Sequence, residues 1–240
     1  MTNLQIIQQL QSSTFHDEDG ESYQLEFQPG LSPSQIEDLA QRFPEQYLDP
    51  ELAEILQVTR GWDGYGPERV YFDAIGRFGN LELSAYSISL GQDGFGNQWL
   101  LELDAEGKLG KVFFDCHDPA VLVIHSQSLN QYLHHLLAYY QNPADNYLNT
   151  VHGQTVSIIW EQNKLCSPKA SFLARHPEFR DFLGQFEGEE WTVADLRRGL
   201  NQDGFAWGKY GSNEFIRRHP NELIWVLPNK KKGFWANLFG

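Results

Sequence analysis

The chain has 240 residues, 41% hydrophobic and 14% aromatic, which is enough to build a sizeable core and excludes a disordered polypeptide. Its net charge of −14 is unevenly placed: residues 1–140 hold 21 acidic and 6 basic side chains, a net −15, while residues 141–240 are nearly balanced. Phosphate contacts need cations, so nucleic-acid binding by the first part is excluded and a basic partner is favoured; simple solubility of an acidic chain is the bland alternative.

The N-terminal stretch MTNLQIIQQLQSS has no basic region and no long apolar core. A secretory signal is therefore not expected, and a cytoplasmic location is. Cys116 and Cys166 have no metal or redox spacing and are expected as reduced thiols.

Ser32-Pro33-Ser34-Gln35 reads as a cap with proline at the first helical position, and Ile36, Leu39, Ala40 and Phe43 form the stripe behind it. Asp49-Pro50 opens a second helix, with Leu52, Ile55 and Leu56 inward and Gly61 past its end. Then comes the loop Gly61-Trp62-Asp63-Gly64-Tyr65-Gly66 and a strand near Val70 to Ile75. Gly91 to Gly96 shapes a hairpin entry; its glycine spacing and the strand that follows exclude a dinucleotide or phosphate loop.

Trp99, Leu101 and Leu103 share one strand face, with Leu100 and Glu102 on the other. Asp104 to Gly107 is a turn, Val112 and Phe114 alternate with Phe113, Asp118-Pro119 breaks the chain, and Ala120 to Ile124 is another strand. The period then changes. Leu129, Tyr132, Leu133, Leu136, Leu137 and Tyr140 make one helical stripe, with Ser128 and Gln131 as a capping box and Asn142-Pro143 as the stop. A short antiparallel meander thus feeds a helix that must lie on the sheet.

The order of these segments, LSPSQIEDLAQRFPEQYLDPELAEILQVTRGWDGYG, then GQDGFGNQWLLELDAEGKLGKVFFDCHDP, then SQSLNQYLHHLL, resembles the SUKH superfamily. This is the family of the yeast Smi/Knr cell-wall-synthesis regulator, with many bacterial members. The shared marks are a helix pair ending in a glycine-containing loop, a Gly-Asn step into a strand, a short acidic turn, a strand ending in an acidic-His step, and a Ser-led final helix. The resemblance covers residues 25–142. It implies an α+β domain, an antiparallel sheet packed against helices, without known catalytic residues. In bacteria it implies a cytoplasmic immunity protein that neutralises a polymorphic or contact-delivered toxin, often a nuclease. In fungi it implies a regulatory scaffold.

The expected organisation is a SUKH-like domain over 1–142 and a mixed, mostly helical region over 143–240. In the latter, Ser167-Pro168 and His176-Pro177 open short helices, the second carrying Phe179, Phe182, Leu183 and Phe186. Thr192 and Asp195 have capping-box spacing, Trp191 to Leu196 that of a hydrophobic staple, and Gly199 stops that helix. Leu223 to Leu227 reads as a strand closed by Pro228, and Arg-His-Pro recurs at 175–177 and 218–220. The tail sets Lys230, Lys231 and Lys232 before Phe234, Trp235, Leu238 and Phe239. Docking of these aromatics on the protein or a partner is the leading expectation, with contact to an anionic membrane surface the alternative.

Chemistry is sought at three places. Asp115-Cys116-His117-Asp118 is the densest reactive set, but strand neighbours point to opposite faces, so Cys116 and His117 do not meet; Asp115 and His117 remain the only candidates for an enzyme. His134 and His135 lie off the apolar stripe, lack the i, i+4 spacing of a helical zinc pair, and are expected in solvent. His16 to Glu21 lacks calcium-loop spacing and reads as an acidic loop. No enzyme activity, cofactor or metal is expected. Two placements stay open for Trp62: a plug under the domain, or an exposed anchor. In the second, Trp62, Asp63, Tyr65, Glu68 and Asp93 form the surface for a protein partner, expected to be a basic toxin. The alternative function is a regulatory scaffold of the cell-wall-regulator type.

Overall fold

The meander organises the molecule. In the computed structural model, strands β6 (Ser87–Gln92), β7 (Gln98–Leu103), β8 (Leu109–His117) and β9 (Ala120–Ser126) pair in sequence, all antiparallel. The structure describes residues 1–240 apart from 18, 65–68, 77–82, 85, 189, 212–214 and 230–240. The basic-aromatic tail therefore lies outside the described residues.

Ahead of the meander come α1 (Asn3–Ser12), a hairpin of β1 (Phe15–His16) and β2 (Ser22–Tyr23), β3 (Glu26–Pro29), α2 (Pro33–Ala40), α3 (Pro50–Val58), β4 (Thr59–Asp63) and β5 (Arg69–Tyr71). After it come α4 (Leu129–Gln141), then α5 (Tyr147–Thr150) and α6 (Val156–Gln162) joined by a π turn. The chain continues through β10 (Cys166–Pro168), α7 (Lys169–Arg175), α8 (Arg180–Leu183), β11 (Trp191–Asp195), β12 (Gly204–Phe205), β13 (Arg217–Arg218) and β14 (Ile224–Pro228). The large sheet runs β12-β9-β8-β7-β6-β5-β4-β3, and a second sheet runs β10-β11-β14-β13. The fold is α+β, as expected. Among the described residues no helix is long and apolar enough to cross a membrane.

Both faces of the meander are covered. Trp99, Leu101, Leu103, Val112, Phe114, Val121 and Val123 share one core with the stripe of α4 and with Ile6, Ile7 and Leu10 of α1. Leu100, Phe113, Leu122 and Ile124 face the opposite way, onto Trp225 and Leu227 of the second sheet. That sheet's outer face, Val193, Ile224 and Val226, is covered by Phe172, Phe179 and Leu183 from the short helices. The result is four layers, helix, sheet, sheet, helix. Each fully buried Leu or Phe contributes roughly 1.5–3 kcal/mol, so both interfaces are substantial.

Local sequence explains most ends. Ser32 and Gln35 close the capping box before α2. Ser128 accepts from Gln131 N at 3.2 Å, but the Gln131 side chain accepts from Gln127 N instead, so only half of the expected box forms at α4. Thr2 and Gln5 cap α1, a helix the sequence reading passed over.

Three expectations change. Gly61 is not past a helix end; it lies inside β4 at φ 142°, where an added Cβ would sit 1.8 Å from the Val70 carbonyl oxygen. Thr192 to Asp195 is a strand, not a capped helix. Thr192 Oγ1 donates to Asn229 Oδ1, Asp195 pairs with Arg197, and the five residues of β11 bridge β10 and β14. The C-terminal region, expected as mixed and mostly helical, carries a four-stranded sheet at its centre beside its helices. Nor does packing break at 142/143, because Leu148, Val151, Val156 and Ile159 join the first core and β12 extends the large sheet beside β9.

Candidate functional site

The turns β4–β5, β6–β7 and β8–β9 all lie at one end of the large sheet, and the register aligns what they carry. Glu26 pairs with Asp63, Asp63 with Arg69, Arg69 with Gln92, Gln92 with Gln98, and Gln98 with Asp115. Asp63 and Gln92 are two strands apart, about 10 Å. Asp93 follows Gln92 directly, so two of the expected partner residues, distant in sequence, share the hairpin end.

An open groove of about 620 Å³ runs along its β3–β4 side, lined by Asp17, Tyr23, Gln24, Glu26, Asp63 and Arg69 among others. Three carboxylates there face one guanidinium. Arg69 Nε contacts Asp63 Oδ1 at 2.9 Å, with the Asp63 side chain 40% exposed, so the pair is a weak surface bridge and the groove stays acidic. Tyr65 and Glu68 lie outside the described residues.

Asp93 is half-buried and shapes its own turn. Its carboxylate accepts from Phe95 N (3.0 Å), Asn97 N (3.2 Å) and Asn97 Nδ2 (2.6 Å). That turn presents Phe95 at 76% exposure. The sequence reading missed Phe95, although the signal was there: an aromatic between Gly94 and Gly96 at a hairpin tip has little to pack against. His117 and Asp118 are exposed at the neighbouring turn.

Trp62 does not belong to this surface. It is completely buried, tilted against Phe27 and edge-on to Phe72, and its Nε1 donates to Tyr140 Oη at 3.0 Å. Of the two placements open for it, the structure takes the core plug. The alternation of β4 explains this, since Trp62 points under the sheet toward α4 while Asp63 points away.

Cys116 is buried on the α4 side of β8, and burial pushes its thiol up to about 11. Asp115 points to the second sheet, where Gln98 Nε2 (3.3 Å) and Trp207 Nε1 (3.2 Å) donate to it. His117 stands against Asn97, so the three side chains do not converge. Among the described residues no group of three or more His, Cys, Asp or Glu is arranged to hold a metal ion.

His135 is not in solvent as expected. It is half-buried, its ring 4.0 Å from that of Tyr147, and its Nδ1 lies 3.1 Å from Ser126 Oγ. Ser126 Oγ also lies 2.9 Å from Nδ1 of the fully buried His125. Burial first, then the neighbouring His135, holds His125 down at about 3; burial and then His134 hold His135 at about 4. Both are neutral at pH 7, and His125 and Ser126 have no exposed surface.

No family model, no curated protein and no solved structure matches the chain.

Proposed function

We propose that this chain is a non-enzymatic, cytoplasmic protein-binding module that captures a basic partner stoichiometrically at the hairpin end of its large sheet. The partner is a polymorphic or contact-delivered toxin, and binding blocks the toxin's active site or an allosteric surface, as the resemblance to the SUKH immunity proteins implies. The observation that carries the reading is the juxtaposition of Glu26, Asp63 and Asp93 with the exposed Phe95 on one end of a rigid sheet. An acidic rim speeds encounter with a basic protein by about 10- to 10³-fold at low salt. An exposed aromatic on a fixed turn supplies the anchor that charge alone does not.

Affinity capture from the native host, washed at about 50 mM and about 500 mM salt, tests this, because screening shortens several-fold between them. Capture of a basic, toxin-like protein that is released at high salt supports the reading. Salt-insensitive capture of envelope or signalling proteins moves the function to the regulatory scaffold.

A further inference from the structure

Away from the hairpin end, the described residues form a cleft of opposite character. It lies between β10, α7 and the segment that joins β11 to β12, has a volume of about 270 Å³, and is lined by Lys164, Arg175, Arg197 and Arg198 against two carboxylates, Asp195 and Asp203. In a chain of net charge −14 this is a local excess of cations.

Of the two carboxylates, Asp195 is charge-paired and Asp203 holds only a backbone amide. Asp195 accepts from Arg197 Nε at 2.9 Å and Nη2 at 2.8 Å, and Asp203 Oδ2 accepts from Leu200 N at 2.8 Å. Arg197 is further pinned over the Phe179 ring at 4.7 Å, so it forms the cleft's wall rather than a free arm. Asp203 keeps its charge, so the remaining three cations face one carboxylate and are in excess. Arg175 is held by Ser171 O and Ser167 Oγ, both at 3.2 Å, through Nε and Nη2, and its Nη1 has no partner among the described residues. Lys164 and Arg198 make no hydrogen bond or ion pair there among the described residues.

We propose that this cleft binds a small phosphate-bearing ligand, with Lys164, Arg175 and Arg198 as the binding side chains. The Arg198 guanidinium fork matches phosphate oxygens in pairs, Arg175 offers Nη1, and Lys164 adds a point charge. The volume lies just below the range of about 300 to 1,000 Å³ in which ligand sites usually fall. It suits a phosphate monoester or diphosphate better than a dinucleotide. A nucleic-acid backbone would need a continued basic track, and the acidic first 140 residues do not supply one.

Isothermal titration of the full chain with pyrophosphate at constant ionic strength tests the site. Saturable binding at one site per chain is expected, weakened about tenfold by each of Arg175→Gln, Arg198→Gln and Lys164→Gln, as loss of one charge-assisted contact implies. Lys108→Gln, an exposed lysine outside this cleft, is expected to leave it unchanged. Circular dichroism of each variant confirms the fold. Absence of saturable binding by wild type overturns the proposal, as does binding that the three cleft substitutions do not move. Tighter binding of a single-stranded oligonucleotide or of phosphatidic acid vesicles than of pyrophosphate overturns the assignment to a small free ligand.

Discussion

Trp62 Nε1 donates to Tyr140 Oη at 3.0 Å across 78 residues, and both side chains are buried. The bond ties β4 to the last turn of α4. Tyr140→Phe removes the acceptor and leaves an indole N–H unpaired in the core, at a cost of about 1–3 kcal/mol. The urea midpoint is expected to fall with the slope unchanged. A midpoint equal to wild type would mean that the bond does not hold β4 to α4.

His125 and His135, sharing Ser126 Oγ, make the fold sensitive to acid. Both are held below the ordinary value of 6.5, at about 3 and about 4, chiefly by burial. The unfolded chain therefore binds more protons than the folded one between those values and 6.5. Their contribution is fully present above pH 6.5 and is lost as pH falls toward 4. His125 is expected to remove on the order of 1 kcal/mol between pH 6.5 and 5.5, and the half-buried His135 less, because solvent screens it. Urea unfolding at pH 7.5, 6.5 and 5.5 reads this slope, and His125→Phe is expected to flatten it by more than half. An equal slope in the variant would place the acid sensitivity elsewhere.

Glu102 of β7 and Arg218 of β13 form an ion pair between the two sheets, with side-chain exposures of only 9% and 6%. Burial lowers the Arg218 guanidinium to about 10. Arg218→Met strands the Glu102 carboxylate and is expected to cost about 3–5 kcal/mol, whereas Glu102→Leu with Arg218→Met restores most of it. A double-mutant cycle measures the coupling; additive losses would show that the pair is not coupled.

Two glycines separate strain from crowding. Gly61 has φ 142° and backbone atoms of Val70 within 2.7 Å of an added Cβ, while Gly76 has φ 65° and open space. Gly61→Ala is expected to prevent β4–β5 pairing and abolish folded protein. Gly76→Ala should lower stability by only about 1–2 kcal/mol. Comparable melting temperatures for the two variants would contradict this reading of β4.

The first half was legible where local rules decide. The 98–124 meander and α4 follow from alternation and helical spacing, and their buried residues match. The second sheet was foreshadowed by apolar residues on both faces of β7 to β9, since Leu100, Phe113 and Leu122 have no reason to be apolar over solvent. It was missed because β11 and the residue after it offer helix signals, Thr192 with Asp195 and Trp191 with Leu196, while the pairing partners of the strand lie up to 37 positions away. Trp62 was ambiguous because its partner Tyr140 is remote. At the hairpin end, Asp63 and Asp93 were named as neighbours, but only the register of β4, β5 and β6 brings them together, and it is Phe95, not Trp62, that stands exposed beside them.

The claim that the hairpin end is the partner surface is tested most directly by association kinetics of the captured partner with wild type, Phe95→Ala, and the pair Glu26→Gln with Asp63→Asn. The charge variant is expected to lower the association rate several-fold at low salt with little change in dissociation, and Phe95→Ala to speed dissociation about tenfold or more. Wild-type rates in both variants, with the fold intact, would contradict the placement of the binding surface at this end of the sheet.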